Sequence, residues 1–331
     1  MQDVRKNYQE LRRTCLLCGM SCGGALLEVR ETMLGTQEPF LEWRCGSCGS
    51  YNLVNPPANL SRYYPSSYYS FKAGSGGQFF GRKLFVRLAY QGLTLRLVRT
   101  RIGGLICQNQ ILTTTAFILE SGLDPRKCKL LDVGSGTGEM LGYLSSLGFR
   151  ELVGIDAFIP DDIVRDDGVK VFRRTLAEVN ETYDLVMFNH SFEHFPDPVE
   201  TLRQTRRIMS PGGLCMIRVP VAGSFSANKF GDSWVQLDAP RHLVVPSEEG
   251  VRKAVSLAGM KLEHVWYDSG PFQFIGSERV RSRTKLTNQD REQPRRLVSS
   301  GLGVSVTKLR LKAAHLNNVG AGDQAAFLVR R

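Results

Sequence analysis

The chain has 331 residues and a net charge of +11, from 43 Lys and Arg against 32 Asp and Glu, with 42% hydrophobic residues. That is an ordinary globular composition, long enough for a core domain plus an accessory module, and it excludes a chain built on a membrane-spanning segment, since no apolar run approaches eighteen or so residues. Met1 to Arg13 is charged and lacks the apolar stretch of a secretory signal, so a cytoplasmic location is expected, where the eight cysteines stay reduced unless they hold metal.

The charge is uneven. Arg82 to Arg101 holds six basic and no acidic residues, and Arg279 to Arg331 holds twelve basic against three acidic. These segments suit phosphate-bearing partners, whether nucleic acid, nucleotide-linked substrates or anionic lipid, or else form a solvated face.

In chain order, Cys15-Leu16-Leu17-Cys18-Gly19 and Cys45-Gly46-Ser47-Cys48-Gly49 come first, two C-x-x-C-G knuckles at zinc-ribbon spacing. Each knuckle offers two thiolates from a tight turn. Cys15, Cys18, Cys45 and Cys48 together close a tetrahedral shell around one structural Zn2+, with no position left for a catalytic water. Cys22 is an alternative to Cys18, while Cys107, Cys128 and Cys215 read as buried apolar thiols. A redox site would use one C-x-x-C beside a βαβ unit, and both pairs here precede the core. The expected organisation is a ribbon over 1–59, a tyrosine-rich linker and basic helix over 60–108, and the main domain over 109–331 with an insertion at about 277–316.

The linker carries Arg62-Tyr63-Tyr64-Pro65-Ser66-Ser67-Tyr68-Tyr69, whose prolines and serines oppose regular structure and whose tyrosines oppose free disorder. It either lies across the substrate cleft or packs ribbon to core. Leu84 to Val98 is a basic stretch at helical spacing, a candidate for peripheral membrane contact or for packing by one face, and Ile111 to Leu119 is a further helix.

An apolar strand, Leu130 to Val133, then runs into Gly134, Gly136 and Gly138 and on into an amphipathic helix. Glycines there let the backbone turn sharply and lie against a ligand, and the helix start supplies free N–H groups. A dinucleotide fingerprint would place its third glycine at position 139, which is Glu139. Glu151 to Asp156 is a second strand ending in a carboxylate about twenty residues further on, the place of a ribose-hydroxyl acceptor. The residues therefore point to a nucleoside-containing cofactor.

Asp132, Gly134, Gly136 and Gly138 resemble the first motif of the class I S-adenosylmethionine-dependent methyltransferases, an acidic residue followed by G-x-G-x-G. The resemblance implies an α/β fold: a Rossmann-like seven-stranded methyltransferase sheet with helices on both faces, here preceded by the small zinc ribbon. It also implies S-adenosyl-L-methionine as cofactor, with Asp132 near its amino group, the glycine loop under its methionine part and Asp156 on its ribose. Ser135, Ala157 and Asn189 complete the implied cofactor set. Thr175 and Leu176 stand where the family often has an acidic residue facing the adenine amino group.

The remaining elements follow in family order. Val169 to Arg173 is the third strand, Tyr183 to Asn189 the fourth, and Phe192 to Pro198 the turn after it; Ile208 to Ile217 is a proline-glycine turn into the fifth. A helix starts near Pro246-Ser247-Glu248-Glu249 and stops at Gly259, and Lys261 to Tyr267 is the sixth strand. Ser277 to Arg296 reads as polar and irregular, Leu297 to Leu316 as a helix, and Ala325 to Val329 as an antiparallel seventh strand.

Methyl transfer is an in-line displacement, so the protein has mainly to align two reactants, and a hydroxyl or carbon acceptor also needs a base. Three histidines qualify. His190 and His194 bracket the end of the fourth strand, and His242 lies in a polar segment beyond the fifth, with Arg241 beside it for a substrate phosphate. His242 ranks first, as an imidazole at its ordinary value in an irregular loop. His190-Ser191-Phe192-Glu193-His194 also fits the H-x-x-E-H of zinc hydrolases, but that chemistry needs a helix, and Pro196 and Pro198 follow at once. Metal-assisted methyl transfer by the same side chains is an alternative use of them.

Bacterial methyltransferases with an N-terminal zinc ribbon resemble this chain in the tyrosine-rich linker, in Gln236 to Leu243 and in Gly322 to Phe327. Many are associated with glycan biosynthesis, which implies a sugar or sugar-nucleotide substrate methylated on oxygen or carbon. Methylation of a base in ribosomal or transfer RNA is the alternative. It is weakened by Asn189-His190-Ser191-Phe192 in place of the N-P-P-Y or D-P-P-Y of amino-group methylases. A nonenzymatic binding module is a third reading, opposed by the intact Asp132, glycine loop and Asp156.

Overall fold

The computed structural model describes residues 13–64, 114, 118, 121–283 and 305–331. The basic helix at Leu84 to Val98, Cys107, the linker after Tyr64 and the start of the expected helix at Leu297 lie outside the described residues, as does most of Ile111 to Leu119.

The N-terminal module is built from a short antiparallel pair, β1 (Arg13–Thr14) and β2 (Ser21–Cys22), followed by β3 (Gly24–Arg30), β4 (Pro39–Cys45) and β5 (Tyr51–Leu53). The main sheet comprises β6 (Lys129–Val133), β7 (Glu151–Ile155), β8 (Ile163–Val164), β9 (Lys170–Phe172), β10 (Tyr183–Asn189), β11 (Met209–Pro220), β13 (Lys261–Tyr267) and β14 (Gln324–Arg330). Its order is β13-β14-β11-β10-β6-β7-β9-β8. The seven expected strands are all present, with β9, β7, β6, β10 and β11 mutually parallel and β14 inserted antiparallel between β11 and β13. An eighth strand, the two-residue β8, adds antiparallel to β9 at the edge.

Parallel strands covered on both faces need apolar residues on both, and β6 and β10 meet that demand. Leu131, Val133, Val186 and Phe188 join one core, while Leu130, Leu185 and Met187 join the other. Helix α1 (Glu139–Ser146) covers the second core with Leu141 and Leu144. Two more cover the first: α2 (Pro198–Ile208), capped by Asp197, contributes Leu202 and Ile208, and α4 (Glu248–Leu257), capped by Ser247, contributes Val251, Ala254 and Val255. Between them in sequence lies the short α3 (Phe225–Phe230).

The N-terminal module shares the main domain's core. Cys15, Leu17 and Trp43 belong to the same cluster as the sheet residues Val186 and Ile217. Gly250 of α4 permits the approach: a Cβ there would lie 2.2 Å from Ser50 Oγ and 3.2 Å from Leu17 Cδ1. The connection is also made by backbone hydrogen bonding, because β12 (Val244–Val245), contributed by the main domain, pairs antiparallel with β5. The module's sheet therefore runs β12-β5-β4-β3.

The expected irregular stretch from Ser277 begins later than the sequence suggests. Helix α5 (Phe272–Arg281) buries Phe274, Ile275 and Ser277, and Ser277 Oγ accepts from Val235 N at 3.1 Å. Polar residues that look solvated in sequence here anchor a helix under the loop 231–243. The last helix, α6 (Val306–Asn318), is capped by Ser305 and leads into β14.

Candidate active site

All three motif glycines have left-handed backbone, with φ of 74° at Gly134, 55° at Gly136 and 74° at Gly138, a region that disfavours other residues. At Gly134 the space is also closed, since a Cβ would lie 2.5 Å from Ser191 Cβ. The loop so formed joins β6 to α1 at the carboxyl ends of the parallel strands, where open α/β sheets bind their ligands.

Two carboxylates meet there. Asp156 accepts from Gly136 N at 2.9 Å through Oδ2 and from Phe158 N at 2.8 Å through Oδ1, which fixes its plane and leaves each oxygen a second lone pair. Asp132 is 2% exposed, and its Oδ1 has no hydrogen-bond partner among the described residues; nor has Ser135 Oγ. Burial and the neighbouring Asp156 push the Asp132 carboxyl well above the usual range. The loop thus sets one buried acid with an unfilled oxygen beside a second whose two oxygens are oriented by backbone N–H groups. Ala157 is exposed beside Asp156, and Asn189 Oδ1 accepts from Arg218 Nη1 at 3.2 Å.

Beyond β10 the chain turns through His190, itself left-handed with φ 55°, into a single 3-10 turn at Phe192–His194. The H-x-x-E-H residues thus lie on a strand end and a turn rather than on one helical face. Glu193, His194 and His242 place donor atoms within 4.8 Å of one another, so the set suits either proton handling or a divalent ion. Glu193 is fully buried and neither oxygen has a hydrogen bond among the described residues; Oε1 lies 3.4 Å from His190 Nδ1 and 3.7 Å from His242 Nε2, contacts rather than bonds. Burial pushes Glu193 up to about 8.

The native protein therefore holds a proton on Glu193 at pH values where the unfolded chain has released it, and stability is lost as pH rises through that window. We expect the unfolding free energy to fall between about pH 4.5 and about pH 8, with Glu193 contributing up to about 5 kcal/mol. Urea titrations of the wild type and Glu193→Gln check this. The variant should show the shallower pH dependence, and equal slopes would mean that Glu193 ionises freely in the native state.

His242 does not match its expected setting. It is 6% exposed, and burial pushes its imidazole down to about 3 rather than leaving it at the ordinary value. Its Nδ1 lies 2.8 Å from the carbonyl oxygen of Gln236, so that nitrogen carries the proton and Nε2 carries the lone pair toward Glu193 and Asp238. His194 follows the same logic, with Nδ1 2.8 Å from the Arg241 carbonyl, but it is only half-buried; burial lowers it as well. The two rings meet edge to face at 4.9 Å.

Arg241 is likewise committed. Its side chain is buried and ion-paired with Glu31 at 3.0 Å and with Asp238, so the expected hold on a substrate phosphate is replaced by an internal bridge. Tyr64, from the tyrosine cluster, also reaches the histidines, and Arg218 is a neighbouring residue that the sequence does not announce. The Tyr64 hydroxyl lies 3.1 Å from His194 Nδ1, and its ring stacks on Phe158 at 5.4 Å, so this one side chain bridges Asp156's loop and the histidines. Arg218 is buried at the end of β11, with Nε donating to Asp268 Oδ2 at 2.6 Å. A basic residue two places before Pro220 is its faint signal in the sequence.

Cys15, Cys18, Cys45 and Cys48 are all buried and also place their sulfurs within 4.8 Å of one another. Cys15 and Cys48 are 3.7 Å apart, as are Cys18 and Cys45. A tetrahedron with metal–sulfur bonds of about 2.3 Å has edges of about 3.8 Å, so this donor set fits Zn2+. The hydrogen bond between Cys15 and Cys48 lowers the Cys48 thiol and, together with burial, raises that of Cys15, so the two sulfurs share one proton. Cys22 stands close by, 3.4 Å from Cys45.

Residues 106–265 match the family described as "Methyltransferase domain". Among curated proteins, the ubiquinone biosynthesis O-methyltransferase of Ruegeria pomeroyi is 34% identical over 96 residues, covering 26% of this chain and 38% of that protein. The ubiquinone biosynthesis O-methyltransferase of Cereibacter sphaeroides is 31% identical over 126 residues, 34% of this chain and 50% of that protein. The chain thus spans 38% to 50% of the length of these two relatives. Among solved structures, the cyclopropane synthase MmaA2 from Mycobacterium tuberculosis aligns with a TM-score of 0.42 at 17% identity, over 66% of this chain and 84% of that one. The fold is the Rossmann-like methyltransferase fold, in keeping with the match over residues 106–265. No helix among the described residues is long and apolar enough to cross a membrane.

Proposed function

We propose that the chain is an S-adenosylmethionine-dependent methyltransferase acting on a hydroxyl of a small molecule, with a sugar or sugar nucleotide of glycan biosynthesis as the acceptor. The observation that carries the reading is the pair of buried acids at the glycine loop, Asp132 with an unfilled oxygen and Asp156 fixed by two N–H donors. When bound, S-adenosylmethionine supplies an electrophilic methyl group. Asp156 would take the ribose hydroxyls, Asp132 the methionine ammonium, and Gly134 to Gly138 would lie against the methionine part, with Ser135, Ala157 and Asn189 lining the pocket.

The acceptor enters between the turn 190–194 and the loop 234–242. His194 is the base we favour: its Nδ1 is committed to the Arg241 carbonyl, so Nε2 is the atom that takes the hydroxyl proton. Its burial lowers proton affinity but keeps the imidazole neutral, the form that accepts. His242 supports it from behind, and His190 and Glu193 complete the polar wall. His194→Ala should lower turnover by about 10²–10⁴-fold with little change in cofactor affinity. Near wild-type turnover in that variant would leave alignment alone as the source of rate.

The names of the curated relatives favour oxygen as the methylated atom and make a ubiquinone-biosynthesis intermediate the second acceptor reading. A panel of sugar nucleotides, ubiquinone-biosynthesis intermediates and undermethylated ribosomal RNA separates the readings by which arm takes label. We further propose that Cys15, Cys18, Cys45 and Cys48 hold one structural Zn2+, supported by their burial and spacing.

A further inference from the structure

We infer that the loop between β3 and β4 is a working part of the acceptor site, and that Glu31 at its head is a positioning residue for His194. The inference rests on the reading of His194 as the base. Glu31 is fully buried and organises its own loop: Oε1 accepts from Leu34 N at 2.7 Å, and Oε2 accepts from Thr36 N and Thr36 Oγ1, both at 3.0 Å. The same Oε1 accepts from Arg241 Nη2 at 3.0 Å, a bond spanning 210 positions in sequence. Arg241 in turn presents the carbonyl that takes the His194 Nδ1 proton. A carboxylate of the N-terminal module therefore sets, through one arginine, which nitrogen of His194 bears the lone pair.

Backbone pairing runs beside this bridge. Leu53 N donates to Leu243 O at 2.9 Å, and Leu243 N donates to Glu193 O at 2.9 Å, so β5 holds the segment that holds the histidine turn. Asp238, the other anion on Arg241, also faces His242 at 3.8 Å. Removing Glu31 takes one carboxylate from a buried guanidinium, and the Arg241 backbone that carries the His194 acceptor loses that anchor. A residue that merely stabilised its own hairpin would leave the histidines as they are.

The test is the imidazole 15N and 13C spectrum of the ligand-free full chain, recorded for wild type, Glu31→Gln and Glu31→Ala. The wild type should show His194 as the Nδ1–H tautomer. Both variants should move the His194 and His242 signals, the Ala variant more, with a mixed tautomer at His194 and the β5 amide signals retained. Turnover should fall by about tenfold or more in the Ala variant while the KM for S-adenosylmethionine stays within about twofold. Histidine spectra superimposable on wild type in both variants overturn the inference. Should Glu31→Ala fail to fold, Glu31→Gln decides alone, a shift supporting the inference and an unmoved spectrum overturning it. Because the spectra need neither cofactor nor acceptor, a failure of the methyltransferase reading would show separately, as absent turnover in the wild type.

Discussion

Replacing Gly136 by valine is expected to weaken S-adenosylmethionine binding by at least about 100-fold, close to 3 kcal/mol, while the protein stays folded. Gly136 sits at φ 55°, where a β-branched residue is strained by roughly 1–3 kcal/mol. The loop can relieve that strain only by moving, and its N–H is the donor that orients Asp156 Oδ2 at 2.9 Å. One substitution thus obstructs the surface facing the methionine part and releases the carboxylate facing the ribose. Titration calorimetry reads the affinity, and circular dichroism with a melting curve reads the fold, whose midpoint should drop by only several degrees. Equal affinity in the two proteins would remove the loop from the cofactor site.

Cys45→Ser is expected to empty the metal site and unfold the N-terminal module. Structural zinc contributes about 10–16 kcal/mol to small Cys-rich modules, more than β3, β4 and β5 can replace by packing. The damage should extend into the main domain, because β12 pairs with β5 and the loop bearing His242 follows directly from that pairing. Purified wild type should contain about one zinc per chain and the variant close to none. Cys22→Ser should keep its zinc, since Cys18 rather than Cys22 completes the buried set of four. Wild-type protein without zinc, or with the absorption of an iron–sulfur cluster, would refute the assignment. Cofactor affinity in Cys45→Ser should change far less than turnover, because Asp132, Asp156 and the glycine loop belong to β6, β7 and α1.

The parts of the molecule legible in sequence are those governed by local rules. Leu130 to Asp156 reads correctly because a doubly covered parallel strand is largely apolar, and left-handed turns favour glycine. The helix after Ser247 behaves likewise, starting where the sequence places it, whereas the helix capped by Asp197 lies where the sequence reads only a turn. Harder to read are features set by distant partners. Val244-Val245 is too short to announce a strand, and only its pairing with Tyr51 and Asn52 makes it one. Arg241 looks like a surface cation until Glu31 is placed against it, and no periodicity relates the two. His242 looks accessible because its neighbours are polar, yet those neighbours, Gln236 and Asp238 among them, turn inward to satisfy it. At Tyr64 the composition gives only the choice between covering the cleft and packing against the core, and the position of its ring is set by His194, 130 residues away in sequence.

The central claim, that this fold transfers a methyl group rather than only binding a nucleoside, is tested most directly with methyl-labelled S-adenosylmethionine. Purified zinc-loaded chain would be incubated with the sugar-nucleotide and ubiquinone-biosynthesis panels, and label in the low-molecular-mass product measured against S-adenosylhomocysteine formed. The account predicts label and S-adenosylhomocysteine in equal amounts, abolished by Gly136→Val and strongly reduced by His194→Ala. Tight cofactor binding with no label transferred to any acceptor, and no S-adenosylhomocysteine above the enzyme-free control, would contradict it and leave a binding module on a methyltransferase fold.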